Sequence, residues 1–180
     1  MACDLTRGRK EACLDSTGGI KSVYFVDYGD LGTITKTDDE ITDLSGTFSA
    51  YKYELKGANS FETTINSSRE NGTTFFEQSL TIQLKGLSKE DHKEIRLMAY
   101  GRPHICVVDY NDNAMLMGEE QGCDVSAGTV STGTALGDFN GYSLTFTAQE
   151  TNAPAFLASP TVADPFDGMS SATVTITEGT

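Results

Sequence analysis

Four oxygen-bearing side chains at calcium-loop spacing are the densest concentration of potential chemistry in the chain. Asp109, Asn111, Asn113 and Glu120 stand at positions 1, 3, 5 and 12 of a helix–loop–helix calcium site, with Leu116 at the apolar position between them. Hard cations take such oxygen sets. Two features oppose the assignment. Ala114 occupies position 6, where the sharp turn calls for glycine. The flanking residues read as strands rather than helices, and Asn and Asp are also what a hairpin turn selects. The segment is therefore read as a turn, and no metal or cofactor is assigned.

Covalent catalysis needs a base beside its nucleophile. The two histidines are His92 and His104. His92 lies in a charged first helical turn, where a solvated ring is expected. His104 follows Pro103 at a strand start, where a structural role is expected. There is no G-x-S-x-G, phosphate-binding loop or G-x-G-x-x-G pattern. Cys3, Cys13, Cys106 and Cys123 make no C-x-x-C pair and no zinc spacing. Buried free thiols are the preferred reading, with a Cys3–Cys13 link as the alternative. Asn66-Ser-Ser and Asn71-Gly-Thr match the glycosylation pattern but read more simply as a polar loop. The expectation is a protein that is not an enzyme.

The elements that hold these residues are mostly strands. Residues 1–19 form a polar arm, and a strand follows at Ile20–Tyr28. Residues 33–45 are an edge strand or a loop. Phe48–Lys56 alternates, with Tyr51, Tyr53 and Leu55 on one face and Lys52, Glu54 and Lys56 on the other, which marks a half-buried strand. Short strand Phe61–Ile65 and long strand Thr73–Lys85 flank a polar loop ending in the turn dipeptide Asn71-Gly72. Phe76, Leu80, Ile82 and Leu84 share a face of the long strand.

One helix stands out. Ser88 caps it, Glu90 and Asp91 suit its positive end, Gly101 is the C′ residue and Pro103 forbids continuation. Ile95, Met98 and Ala99 recur at helical spacing and are expected on a sheet. Ile105-Cys106-Val107-Val108 predicts a strand covered on both faces, returning through the 111–113 turn as Ala114–Met117. Strands follow at Cys123–Ser131 and Tyr142–Ala148. Residues 150–170 carry three of the four prolines and read as an extended linker before a terminal strand at Ala172–Thr177, which is suited to adding to a sheet edge. The domain reading is thus an arm at 1–19, a β-sandwich at 20–150 and a C-terminal extension at 151–180.

The 180 residues suffice for one domain with a real core. The formal net charge is -13, and so acidic a surface repels phosphate backbones, which speaks against gripping nucleic acid. No segment reaches the roughly 18–20 apolar residues of a membrane helix. The polar N-terminal residues suggest no signal peptide, hence synthesis in a cytoplasm.

The order of elements resembles the tail-tube fold of tailed bacteriophages: strands, one helix, a buried strand with a tight hairpin, then two more strands. The similarity is strongest in the helix ending Arg96-Leu-Met-Ala-Tyr-Gly101 and in the stretch from Ser131 to Glu150, with its glycines, Asp138 and the Tyr142-Ser-Leu-Thr-Phe strand. It covers residues 20–150. It implies a mainly β fold of two packed antiparallel sheets flanked by one helix, and stacked hexameric rings of the chain itself within a virion. Sheath, terminator or baseplate proteins would be neighbours, and genomic DNA would pass through without specific binding. The arm and one of the loops at 30–46 or 57–72 are expected at subunit contacts. Leu5, Arg7, Arg9, Lys52, Glu54, Lys56, Phe61 and Arg69 are the candidate contact residues. The rival readings are a capsid decoration or head-fibre protein and a calcium- or carbohydrate-binding β-sandwich module. Absence of tryptophan weakens the sugar-binding version.

Overall fold

The structure, a computed structural model, describes residues 7–11, 13–14 and 16–179. It is mainly β, with two sheets of eight and four strands and a single helix. In chain order the strands are β1 (Ile20–Val26), β2 (Ile34–Thr37), β3 (Glu40–Leu44), β4 (Thr47–Glu54), β5 (Ser60–Ser68) and β6 (Thr73–Lys85). After helix α1 (Lys89–Tyr100) come β7 (His104–Asp109), β8 (Ala114–Met117), β9 (Asp124–Ser131), β10 (Gly141–Glu150), β11 (Ala155–Leu157) and β12 (Thr173–Glu178).

The larger sheet runs β12-β4-β1-β7-β8-β11-β3-β2, and the smaller runs β5-β6-β10-β9. The smaller is wholly antiparallel. The larger is mixed rather than purely antiparallel, because β12 lies parallel to β4 and β11 parallel to β3. Strand β3 leads into β4 through Ser45 and Gly46, although five strand spacings separate them in the sheet order. Flat, that gap would be roughly 24 Å, beyond what two residues bridge at roughly 3.5 Å each. The sheet therefore rolls until β3 returns beside β4 and β12, and the Thr173 amide donates to the Gly46 carbonyl. Gly46 fits this corner because a Cβ there would overlap the Asp30 carbonyl oxygen.

Rolling gives the central strands two interiors, and period two divides their side chains between them. Val23 and Phe25 of β1, and Ile105 and Val107 of β7, face the smaller sheet and meet Leu80, Ile82, Leu144 and Phe146. Tyr24, Val26, Cys106 and Val108 face the inside of the roll with Phe48, Leu116, Leu157 and Phe166. This agrees with the two-sided burial expected around Ile105–Val108. It corrects the one-sided reading of Phe48–Lys56. Phe48 and Ala50 are buried in the roll, Leu55 is buried toward the smaller sheet, and Tyr51 is exposed.

The expected linker at 150–170 is also corrected. Ala155 and Leu157 are buried in a strand between β8 and β3, and Phe166 and Met169 fill the roll. Asx-type turns hold this loop: the Asp164 carboxylate accepts from the Phe166 amide at 2.7 Å, and Thr161 donates to the Asp164 carbonyl at 2.9 Å. The terminal strand adds to the chain's own β4.

Ser88 caps α1 as expected, its hydroxyl accepting from the Asp91 amide at 2.9 Å and donating to the Asp91 carboxylate at 2.6 Å. Two helix expectations fail. Gly101 is extended, not left-handed. Ile95 and Met98 lean on the sandwich core, but Ala99 is exposed and the helix buries no residue fully. No helix among the described residues is long and apolar enough to cross a membrane.

Candidate assembly surface

Strands β6 and β10 occupy the middle of the smaller sheet, paired over ten residues from Gly141↔Lys85 to Glu150↔Phe76. Their even-numbered residues point to the core. Their odd-numbered residues point outward, and nearly all of these are polar: Glu77, Ser79, Thr81 and Gln83 on β6, and Ser143, Thr145, Thr147 and Gln149 on β10. The outer strands continue the pattern. One row across all four strands reads Glu62–Ser79–Thr147–Asp124. Hydroxyls meet across the middle, with Thr81 and Thr145 oxygens 3.4 Å apart, and the Asn66 amide donates to Glu77 at 3.4 Å. A lysine, Lys85, appears at the far end of β6. The face is thus a field of hydroxyls and amides with scattered carboxylates.

Both borders of this sheet are open. Among the described residues β5 pairs with β6 alone and β9 with β10 alone. Sheet edges are usually blunted with lysine, proline or very short strands. Here β5 has nine residues and β9 eight, and neither contains lysine or proline. A bulge at Ser126 is the sole irregularity of β9 pairing. Directions alternate through the sheet, so β5 and β10 run one way and β6 and β9 the other. Laid beside β5 of a second copy, β9 would be antiparallel to it.

The sequence-selected residues are scattered around this surface. Phe61 points to the core from β5, half-buried, and Arg69 sits in the turn between β5 and β6 where Gly72 takes a φ of +64°. Asn66–Ser68, expected in the loop, belong to β5, so the turn is confined to residues 69–72. Most of the 30–46 segment is the β2–β3 hairpin. Lys52, Glu54 and Lys56 lie on and after β4 in the larger sheet, away from the hydroxyl face. Lys52 is clasped by Glu178 at 2.6 Å and lies 3.7 Å from Glu54. Arg7 and Arg9 are exposed, and Leu5 and Cys3 lie outside the described residues.

The calcium-loop set is not brought together. Asp109 and the 110–113 turn lie at one end of the β7–β8 hairpin and Glu120 beyond the other. The Asp109 carboxylate instead accepts from the backbone and side-chain amides of Asn111 and Asn113, at 2.8 to 3.3 Å. Partial burial pushes its pKa up, but these hydrogen bonds outweigh it and hold the carboxyl below the usual aspartate value. Asn111 has a second duty that its spacing did not suggest: it clamps the root of the arm, accepting from the Thr17 amide at 2.9 Å and donating to the Thr17 carbonyl at 2.8 Å.

His104 is locked in one tautomer. Its Nδ1 donates to the Gly118 carbonyl and its Nε2 accepts from the Gly29 amide at 3.2 Å. Burial lowers its pKa, Tyr28 stacks on it at 5.2 Å, and Arg102 covers the other side of Tyr28 at 4.6 Å. Such a ring holds loops together and has no free lone pair for a substrate. Cys106 and Cys123 are buried, and burial pushes both thiols up, away from the reactive thiolate. Cys13 is exposed.

Glu150, the acidic residue closing β10, is buried. Its Oε1 accepts from the Glu120 and Gln121 amides at 3.1 and 2.9 Å, while Oε2 has no partner. Burial raises its pKa more than the two amides lower it. The folded chain therefore holds this proton more tightly than the unfolded chain. The resulting stability is present below the ordinary glutamate range and is lost as pH rises through that range and past the raised value. Glu150→Gln keeps an acceptor for both amides and removes the charge. It is expected to stabilise the fold at pH 7 and to change little near pH 4, in urea melts at the two pH values. Destabilisation that is larger at pH 7 than near pH 4 would show an ionised Glu150 held by the amides.

Comparison with protein-family models, with curated proteins and with solved structures finds no match.

Proposed function

We propose that the chain is a structural subunit that builds a tube by closing its four-stranded sheet with copies of itself, the role of a bacteriophage tail-tube protein. One observation carries the reading: two long edges free of lysine and proline border a sheet whose outward face is hydroxylic and acidic. A free edge of this kind is a template for pairing, and closure into a ring removes it. Joining β9 of one copy to β5 of the next is a head-to-tail contact, which closes into a ring when the rotation permits. The strand directions keep that ring antiparallel throughout.

Six copies would contribute twenty-four strands, four from each. At roughly 4.8 Å between strands and ~40° tilt, the barrel would be roughly 45–50 Å across between backbones. That is wider than a DNA duplex after side chains are allowed for. Placed inward, the row of Glu62, Ser79, Thr147 and Asp124 offers a duplex hydroxyls and negative charge. Phosphates are repelled, so a genome slides rather than sticks. The overall charge of -13 suits the same purpose.

Negative-stain electron microscopy of the purified chain tests this directly. Rings or stacked tubes with a central channel are expected. A stable monomer or trimer at high concentration would sink the tube reading, and the trimer would favour a capsid decoration protein instead.

A further inference from the structure

Helix α1 presents a side that no other described residue covers. Leu97 is 51% exposed and Tyr100 86%, and across from the helix Tyr51 is 40% exposed. Between α1 and the β4–β12 edge runs a groove floored by Tyr51, Tyr53 and Leu97. The helix side of the groove carries Glu90, Asp91 and Glu94, while the register turns Lys52, Glu54 and Glu178 to the other face of the β4–β12 edge, where Glu178 holds the Lys52 ammonium. The carboxylates lift the Tyr53 hydroxyl further after burial has raised it, to about 12. The groove is apolar below and strongly negative above.

The complementary segment lies in the same chain. Arg7-Gly8-Arg9-Lys10 places three cations in four residues of an otherwise acidic protein, and all four residues are exposed. Among the described residues these cations make no ion pair. Leu14 follows, fully exposed. Asn111 fixes the arm at Thr17, and the eight residues back to Arg9 can span up to roughly 27 Å. Among the described residues, Arg7–Lys10 line no part of their own groove, and they have the reach to enter another.

We propose that the basic run Arg7–Lys10 of one copy docks in the α1–β12 groove of a neighbouring copy, its cations over the helix carboxylates and the apolar arm residues on Leu97 and Tyr51. The docking rests on the self-assembly reading only in requiring a second copy. It places Arg7 and Arg9 at a contact and names their partners. A peptide of residues 2–17 with a fluorescent label, titrated onto the full-length R7E/R9E/K10E chain, is expected to bind. Adding E90K/E94K to that chain is expected to weaken it by about tenfold or more. Glu90 is exposed and Glu94 half-buried, and the helix buries neither fully, so the fold should persist. Equal affinity for the two chains overturns the groove assignment whether or not tubes form.

Sedimentation velocity then decides between neighbours and self. R7E/R9E/K10E and E90K/E94K should each lose self-association, and their equimolar mixture should regain it. Recovery confined to the chain carrying both sets of changes would place the arm in its own groove and overturn the proposal. A wild-type chain that binds the peptide yet stays monomeric would overturn it too, together with the tube reading. Wild-type assembly that neither variant disturbs would overturn the docking alone.

Discussion

Phe166→Ala is expected to cost about 3–5 kcal/mol, the range for deleting a large aromatic side chain from a core. Phe166 is 2% exposed and meets Tyr24 and Phe48 edge-to-face, with ring centroids 6.2 and 5.3 Å apart. Those rings come from β1 and β4, so the substitution empties the middle of the rolled sheet. In a chain of this size the loss should lower the melting temperature by roughly 6–20 °C. Phe156→Ala is the natural control, since Phe156 lies on β11 but is 48% exposed. It should cost about 1 kcal/mol or less. If both variants melt alike, residues 158–172 do not close the roll in solution and the loop behaves as the linker its prolines suggest.

The second large effect concerns the hydroxylic face. E77K/Q83K/Q149K puts three lysines on outward-facing positions of the central strands β6 and β10 and leaves both edge strands unaltered. None of them is needed by the core, so folding and assembly should survive. In a tube with this face inward, the channel wall changes from repelling phosphates to binding them. Wild-type assemblies are expected to release linear duplex DNA. Assemblies of the variant should hold it at least about tenfold more tightly at low salt, with affinity falling as salt rises. Nuclease digestion locates the DNA: inside a channel it is protected. E40K/D167K adds the same charge at exposed positions on the larger sheet and its loop, away from the α1 groove, and DNA held there should be digested. Equal nuclease sensitivity in the two variants would show that the hydroxylic face does not line a channel.

Much of the fold was legible because its signals are local. Thr73–Lys85 alternates over thirteen residues, and the strand has those bounds. Ser88 with Asp91 satisfies helix amides within one turn, so the helix starts where the cap predicts. Asn71-Gly72 marks a turn through the backbone freedom of one glycine. The failures involve partners distant in sequence. The alternation of 48–56 predicts a one-sided strand because it carries no sign of its neighbours: β12, lying on β4, is more than a hundred residues away. Residues 150–170 read as a linker because prolines and polar residues describe local backbone. What buries Phe166 is Tyr24 and Phe48, which no local pattern announces. The spacing of Asn111 points to a metal ligand, and in the fold its amide ties down an arm ninety-four residues away.

The residues that now define the candidate surface were present in the alternating patterns of β6 and β10, but a polar face of a strand is ordinarily just solvent-facing. Strand order alone reveals that β5 and β9 are edges, that both are long and free of lysine and proline, and that they run in opposite directions. By itself, the sequence determined the acidity, the strands, the capped helix and the cationic run in the arm, because these depend on residue type and short-range geometry. Tertiary structure decided which faces are interior, which edges stay open and which apolar side chains the carboxylates of α1 gather beside. Those outcomes follow from the burial of apolar surface between segments far apart in the chain, and from a sheet that had to roll to connect β3 to β4 through two residues.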